Sequence, residues 1–129
     1  MKKFISILLI LILAVSGMCI CVNAEGDYPE DETFFEGDYE YAIRDDGTAE
    51  IRDYFGKDEK VTVPSKIAGY VVSKLAVYSF QDCENMTSIT IPDTVTAIAD
   101  GVFSGCVSLT DVKIPDTVTI IGAWVFADC

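Results

Sequence analysis

Histidine is absent from all 129 residues. With it go the usual general base near neutral pH and the commonest metal ligand. No glycine-rich phosphate loop, nucleophile elbow or zinc-type cysteine pair occurs either. Basic side chains are scarce, 9 against 21 acidic ones, so the formal net charge is −12. Such a surface repels nucleic acid phosphates and anionic lipid headgroups, which argues against both as partners. Neighbouring acids such as Glu30, Asp31 and Glu32 do not make a metal site on a flexible chain, because converging on a cation has an entropic cost. Neither an enzyme nor a cofactor is expected.

What is present begins with an export signal. Lys2 and Lys3 precede an apolar run from Phe4 to Val15 broken only by Ser6, and Val22-Asn23-Ala24 offers a cleavage site after Ala24. Residues 1–24 therefore read as a signal peptide for a secreted or cell-surface product. The alternative is an uncleaved anchor, since about 20 apolar residues can span a bilayer. Met18 before Cys19 and Ile20 before Cys21 are poor lipidation contexts. Cleavage leaves no segment expected to insert in a membrane, and removing Lys2 and Lys3 takes the charge from −12 to −14.

Between Glu25 and Glu40 stand eight carboxylates and no Lys or Arg, with Gly26, Pro29 and Gly37 among them. Residues 25–38 read as an acidic, disordered spacer. From Tyr39 the pattern changes. Tyr39, Tyr41 and Ile43 alternate with Glu40, Ala42 and Arg44, Asp46-Gly47 is a favoured two-residue turn, and Ala49 to Tyr54 returns as a second strand. This hairpin, with the polar connection through Lys60, makes residues 39–60 an expected N-terminal cap.

An internal repeat dominates residues 61–129. Phe80, Phe103 and Phe126 are spaced by 23 residues, as are Cys83, Cys106 and Cys129. Ile91-Pro92-Asp93-Thr94-Val95-Thr96 recurs unchanged as Ile114-Pro115-Asp116-Thr117-Val118-Thr119. A fixed period in the twenties marks a solenoid with a short strand and a turn or helix per coil. An earlier copy starts at Val61-Thr62-Val63-Pro64 and carries about five extra residues around Gly69-Tyr70-Val71-Val72, read as a bulged loop. Alternate strand residues point inward and stack as apolar columns, and the prolines after Ile91 and Ile114 end the ladder. Asp93 and Asp116 recur with the repeat, as turn residues do and a single catalytic pair does not.

The Met86-x-x-Ile89-x-Ile91 and Leu109-x-x-Val112-x-Ile114 strands, the Ile-Pro-Asp-Thr-Val-Thr string and the Ile-Ala-Asp-Gly-Val-Phe-Ser-Gly-Cys segment ending at Cys106 resemble the BspA-type leucine-rich repeat of bacterial surface proteins. The resemblance runs from about Tyr39 to Cys129. It implies an α/β-type solenoid, a right-handed coil of short parallel strands behind the β-hairpin cap. It also implies adhesion, with an extracellular protein or glycan as partner. The chain stops at Cys129 midway through a coil, which suggests a truncated or partial member.

Cys83, Cys106 and Cys129 lie on equivalent coil positions about 5 Å apart, within disulfide reach. The favoured reading is small buried residues filling a coil corner. Residues between the inward ones form two outward columns, Lys60–Ser88–Asp111 and Thr62–Thr90–Lys113. Ser88, Thr90, Asp111 and Lys113 are the candidate partner-binding residues, on what this architecture makes a concave face. Two further possibilities are self-association through an open last coil, showing Ile120, Ile121, Val125 and Phe126, and a local contact or edge packing at Trp124, the only tryptophan.

Overall fold

The structure is a computed structural model that describes residues 32–129. The signal peptide at 1–24 and the first part of the spacer, 25–31, lie outside the described residues. Ten strands are present among the described residues: β1 (Thr33–Glu36), β2 (Tyr39–Ile43), β3 (Ala49–Tyr54), β4 (Lys60–Thr62), β5 (Lys66–Ile67), β6 (Tyr70–Leu75), β7 (Ser88–Thr90), β8 (Ala97–Ile98), β9 (Asp111–Lys113) and β10 (Ile120–Ile121). They form a parallel sheet in the order β4-β7-β9 and a larger one in the order β1-β2-β3-β6-β8-β10. The chain passes from one sheet to the other through a turn at each proline and returns through a third, strandless side. Three such turns make a leucine-rich-repeat solenoid.

Inward residues build the core. Val61 and Ile89 stack from the first sheet, with Val112 half-buried beyond them, and Ile51, Leu75 and Ile98 stack from the second, where Ile121 continues the column but is exposed on the last coil. The phenylalanines fill the third side, with Phe80 and Phe103 fully buried and ring centroids 5.8 Å apart. Phe126 continues the stack at 5.5 Å. Each buried ring contributes roughly 2–3 kcal/mol of apolar burial.

No helix occurs among the described residues, so the helical part of the expected α/β class is missing, and the cause is visible in the backbone. Tyr78, Gly101 and Trp124, one period apart, all have positive φ (+58°, +62°, +53°), and so do Asp82, Gly105 and Asp128 (+55°, +76°, +56°). A left-handed residue every fourth position prevents a right-handed helix. Consecutive turns form instead, closed by bonds such as Gln81 N–H to the Tyr78 carbonyl and Ser104 N–H to that of Gly101. The remaining amides reach the next coil. Tyr78, Phe80 and Asp82 donate to the carbonyls of Asp100, Val102 and Ser104, and Gly101, Phe103 and Gly105 to those of Ala123, Val125 and Ala127.

The hairpin of β2 and β3 is antiparallel as expected, and β3 then pairs in parallel with β6. Tyr54 and Tyr39 lay their rings on Phe80, at 5.3 and 6.5 Å. Its turn is longer than two residues: Gly47, at φ +79°, donates to the Arg44 carbonyl and Arg44 to that of Thr48. Two further differences concern irregular sequence. Thr33–Glu36, within the stretch read as spacer, is a strand paired antiparallel to β2, with Phe34 tilted against Tyr41 at 5.6 Å. The apolar gain of that contact outweighs the surrounding acid. The extra residues of the first coil form a hairpin, β5 with β6, turning at Ala68 and Gly69 with φ +48° and +85°. A hairpin pairs the inserted backbone with itself, which a bulge would leave partly unpaired.

Candidate functional site

The three-stranded sheet carries the sequence-predicted columns in register. Lys60 pairs with Ser88 and Ser88 with Asp111, while Thr62 pairs with Thr90 and Thr90 with Lys113. Ser88 is half-buried; Thr90, Asp111 and Lys113 are exposed. Neighbours in a column stand about 4.8 Å apart. The result is a hydroxyl-bearing strip with one acid and one base at its third strand. Threonines just before the strands do a different job. The Thr87 hydroxyl donates to the Glu59 carbonyl at 2.9 Å and that of Thr110 to the Thr87 carbonyl at 3.3 Å, so they stitch coils together beside the strip.

The larger sheet holds a charged cluster that the repeat pattern does not announce. The carboxylate of Glu50 is only 8 % exposed and is met by three cations. Arg52 Nε lies 2.7 Å from Oε1, while Arg44 Nη1 and Lys74 Nζ lie 3.3 and 3.4 Å from Oε2. A buried carboxylate demands such partners. Lys74 comes opposite Glu50 because β3 and β6 pair with an irregular register. The extra hairpin breaks the period in that coil, which hid the pair from periodicity. The turn beside it is fixed by Asp46, whose Oδ1 accepts from the Thr48 amide and hydroxyl at 2.9 and 2.6 Å. Those bonds hold the Asp46 carboxyl below its ordinary pKa. The Thr48 and Ser73 hydroxyls share a 2.6 Å bond onward to β6.

The three cysteines among the described residues are free thiols with graded burial: Cys106 is buried, Cys83 half-buried and Cys129 exposed. Only the middle one, which has a repeat coil on either side of it, fits the expected buried corner. Their recurrence has a bonding reason. The Cys106 thiol reaches the Phe80 carbonyl at 3.0 Å and the Cys129 thiol that of Phe103 at 3.1 Å. The hydrogen bond with Cys83 and burial push the Cys106 thiol well above its ordinary pKa, while the same bond lowers that of Cys83. No group of three or more His, Cys, Asp or Glu is suited to a metal among the described residues. The last coil exposes Ile120, Ile121, Trp124 and Phe126, whereas Ile98 and Phe103, the equivalents of Ile121 and Phe126 one coil earlier, are fully buried. Val125 stays buried under its own turn, 4 % exposed, and is not part of that face.

Residues 59–129 match the profile of the BspA type leucine rich repeat region (6 copies). No curated protein matches the chain. Among solved structures it resembles a leucine rich cell surface protein from Faecalibacterium prausnitzii at 34 % identity and a TM-score of 0.71, over 80 % of this chain and 29 % of that one. It also resembles a leucine rich repeat protein of T. pallidum, at 29 % identity and a TM-score of 0.69, over 71 % of this chain and 44 % of that one. A leucine-rich repeat protein from Bacteroides capillosus matches at 29 % identity and 0.64, over 69 % and 70 %. The chain thus spans less than half the length of the first two relatives. The in-phase repeat, the parallel ladders and these matches agree: the chain belongs to the BspA type leucine rich repeat family.

Proposed function

We propose that this is an exported surface module, without catalytic activity, that binds an extracellular protein or glycan through the strip on β4, β7 and β9. The observation that carries the reading is the register of its two polar columns, Lys60–Ser88–Asp111 and Thr62–Thr90–Lys113. Repeated rigid strands present side chains at fixed intervals, which suits an extended partner over a small molecule. The β2–β3 hairpin serves as the N-terminal cap, its tyrosines covering the first Phe of the stack. A cell-surface address, reached by export through residues 1–24, fits the Faecalibacterium relative, a leucine rich cell surface protein. The double variant Thr90→Glu with Lys113→Glu tests the site. Both side chains are exposed, so circular dichroism should be unchanged while binding to matrix proteins and cell-surface glycans falls at least tenfold. A folded double variant that binds as the parent does refutes the site.

A second reading is assembly. Ile121, Trp124 and Phe126 are 43–76 % exposed on the last coil, an apolar surface of the kind that another coil covers. In this reading the face stacks on another copy or domain, and light scattering shows mass rising with concentration. Replacing Ile121 and Trp124 by Ser abolishes that rise if the reading holds.

A further inference from the structure

The third side of the solenoid presents two outward columns that the strip does not use. Tyr78 and Asp82 flank Phe80 on one ladder; the phenylalanine is fully buried and both flanking residues are exposed. One coil on, their positions are held by Gly101 and Gly105, and two coils on by Trp124 and Asp128. All six residues have positive φ, between +53° and +76°. The glycines make room for the first coil. The Tyr78 ring lies over Gly101 and the Asp82 carboxylate over Gly105, each where a Cβ would fall. The outer face therefore carries an aromatic, a glycine and an aromatic beside an acid, a glycine and an acid.

Exposure of the two rings is a property of the turn and not of the last coil alone. Tyr78 has two coils beyond it and is still 47 % exposed, whereas Ile98 and Phe103, with one coil beyond them, are fully buried. A coil added after Cys129 would therefore cover Ile121 and Phe126 and leave much of Trp124 open. The rings stand two coils apart, about 10 Å, on turns of one backbone conformation. Gly101 between them raises no side chain, so a single extended molecule can lie on both.

We propose that this face binds a neutral β-1,4-linked polysaccharide lying along the solenoid axis. The apolar C–H face of one sugar ring rests on Tyr78 and that of the next ring but one on Trp124, while hydroxyls beside them donate to the carboxylates of Asp82 and Asp128. Successive rings of such a chain are turned over, so alternate rings present the same face at close to the interval of two coils. An extended peptide matches less well, because its same-side residues recur at about 7 Å. The turns at 76–83, 99–106 and 122–129 contain Asp82, Asp100 and Asp128 and no Lys or Arg, so an anionic chain is repelled. Two rings engaged at once act as linked sites, which makes the length of the sugar decisive. The face is separate from the strip on β4, β7 and β9 and does not depend on it.

Cellohexaose is the probe, read by calorimetry and by the fluorescence of Trp124, the only tryptophan. It should bind roughly tenfold or more tightly than cellobiose, which reaches one ring only. The same margin should separate it from maltohexaose, whose α-linked chain coils and does not repeat at this interval. Added salt should leave its affinity unchanged, because the ligand is uncharged. Tyr78→Ala keeps an L-residue in the turn and should bring cellohexaose down to the level of cellobiose, in a protein that circular dichroism shows to be folded. Ile121→Ser, which alters the end of the coil stack and leaves both rings, should bind as the parent does. Thr90→Glu with Lys113→Glu should also leave cellohexaose binding unchanged, so that failure here and failure of the strip are separate results. Absence of cellohexaose binding, equal binding of maltohexaose, undiminished binding in folded Tyr78→Ala, or a salt-sensitive preference for a lysine-rich peptide overturns the proposal.

Discussion

Tyr78, Gly101 and Trp124 share one backbone conformation but not one side chain, which makes a sharp test of how coils fit together. A Cβ at Gly101 would fall against Cδ1 and Cε1 of Tyr78, because the tyrosine ring of one coil lies over the glycine of the next. Gly101→Ala therefore carries two costs. Holding alanine at φ +62° costs about 1–2 kcal/mol, and the backbone need not move, since Tyr78 and Trp124 already sit at +58° and +53°. The steric part is smaller than in a closed core, where overpacking costs about 1–3 kcal/mol. Tyr78 is 47 % exposed and its ring can swing outward, giving up its packing on the glycine. That adds about 1 kcal/mol, for a total near 2–3 kcal/mol. In a Tyr78→Ala background the steric part vanishes and only the conformational part remains. Urea unfolding followed by circular dichroism and Trp124 fluorescence should give a coupling of about 1 kcal/mol, above the roughly 0.5 kcal/mol scatter of independent sites. If the two substitutions add within that scatter, the ring does not rest on Gly101 and the fit of the third side is misassigned.

Three shorter tests address other sites. Ser79 is fully buried and its hydroxyl has no partner among the described residues, where the next coils place Val102 and Val125; Ser79→Val should raise stability by about 1 kcal/mol in urea melts, and a loss would mean the hydroxyl is satisfied. Burial, above all, pushes Tyr39 and Tyr54 up to about 12. Their folded pKa lies above the unfolded value near 10, so the stability they contribute is complete below pH 10 and is lost from there to about 12. Thermal melts should fall across that window, with tyrosinate absorbance lagging behind a free-tyrosine titration; a full titration of the folded protein near pH 10 refutes it. Native alkylation should label Cys129 first, Cys83 next and Cys106 last, all three becoming fast in denaturant, and a linked 83–106 or 106–129 peptide in non-reducing mass spectrometry would contradict the free thiols.

Much of the solenoid was legible because one period repeats. The spacing of Phe80, Phe103 and Phe126 placed the third side, and the alignment of Ser88 with Asp111 and of Thr90 with Lys113 is the register found. Legibility failed wherever an interaction falls outside the period. Glu50 and Lys74 meet across the coil that carries the extra hairpin, so no 23-residue offset relates them. Thr33–Glu36 stands in an acidic run, and its strand forms against β2 with ring contacts to Tyr41 and Phe55, which lie outside that run. The turns of the third side need positive φ at Tyr78, Asp82, Trp124 and Asp128, residue types that do not advertise it as glycine does. The cysteines were read as filler because a thiol's carbonyl partner lies 26 residues away, offset from the period itself.

The ladder on the third side has a consequence for inheritance. Each junction uses the same donors and acceptors, from Tyr78, Phe80 and Asp82 to the carbonyls beyond, and again from Gly101, Phe103 and Gly105. A segment of one 23-residue period, copied or excised in phase, therefore keeps the donors and acceptors of this ladder matched. Unequal recombination within such a gene yields shorter and longer products whose third sides still match. A change of one residue has the opposite effect: it turns the inward side chains of a strand to the solvent and parts the coils on either side.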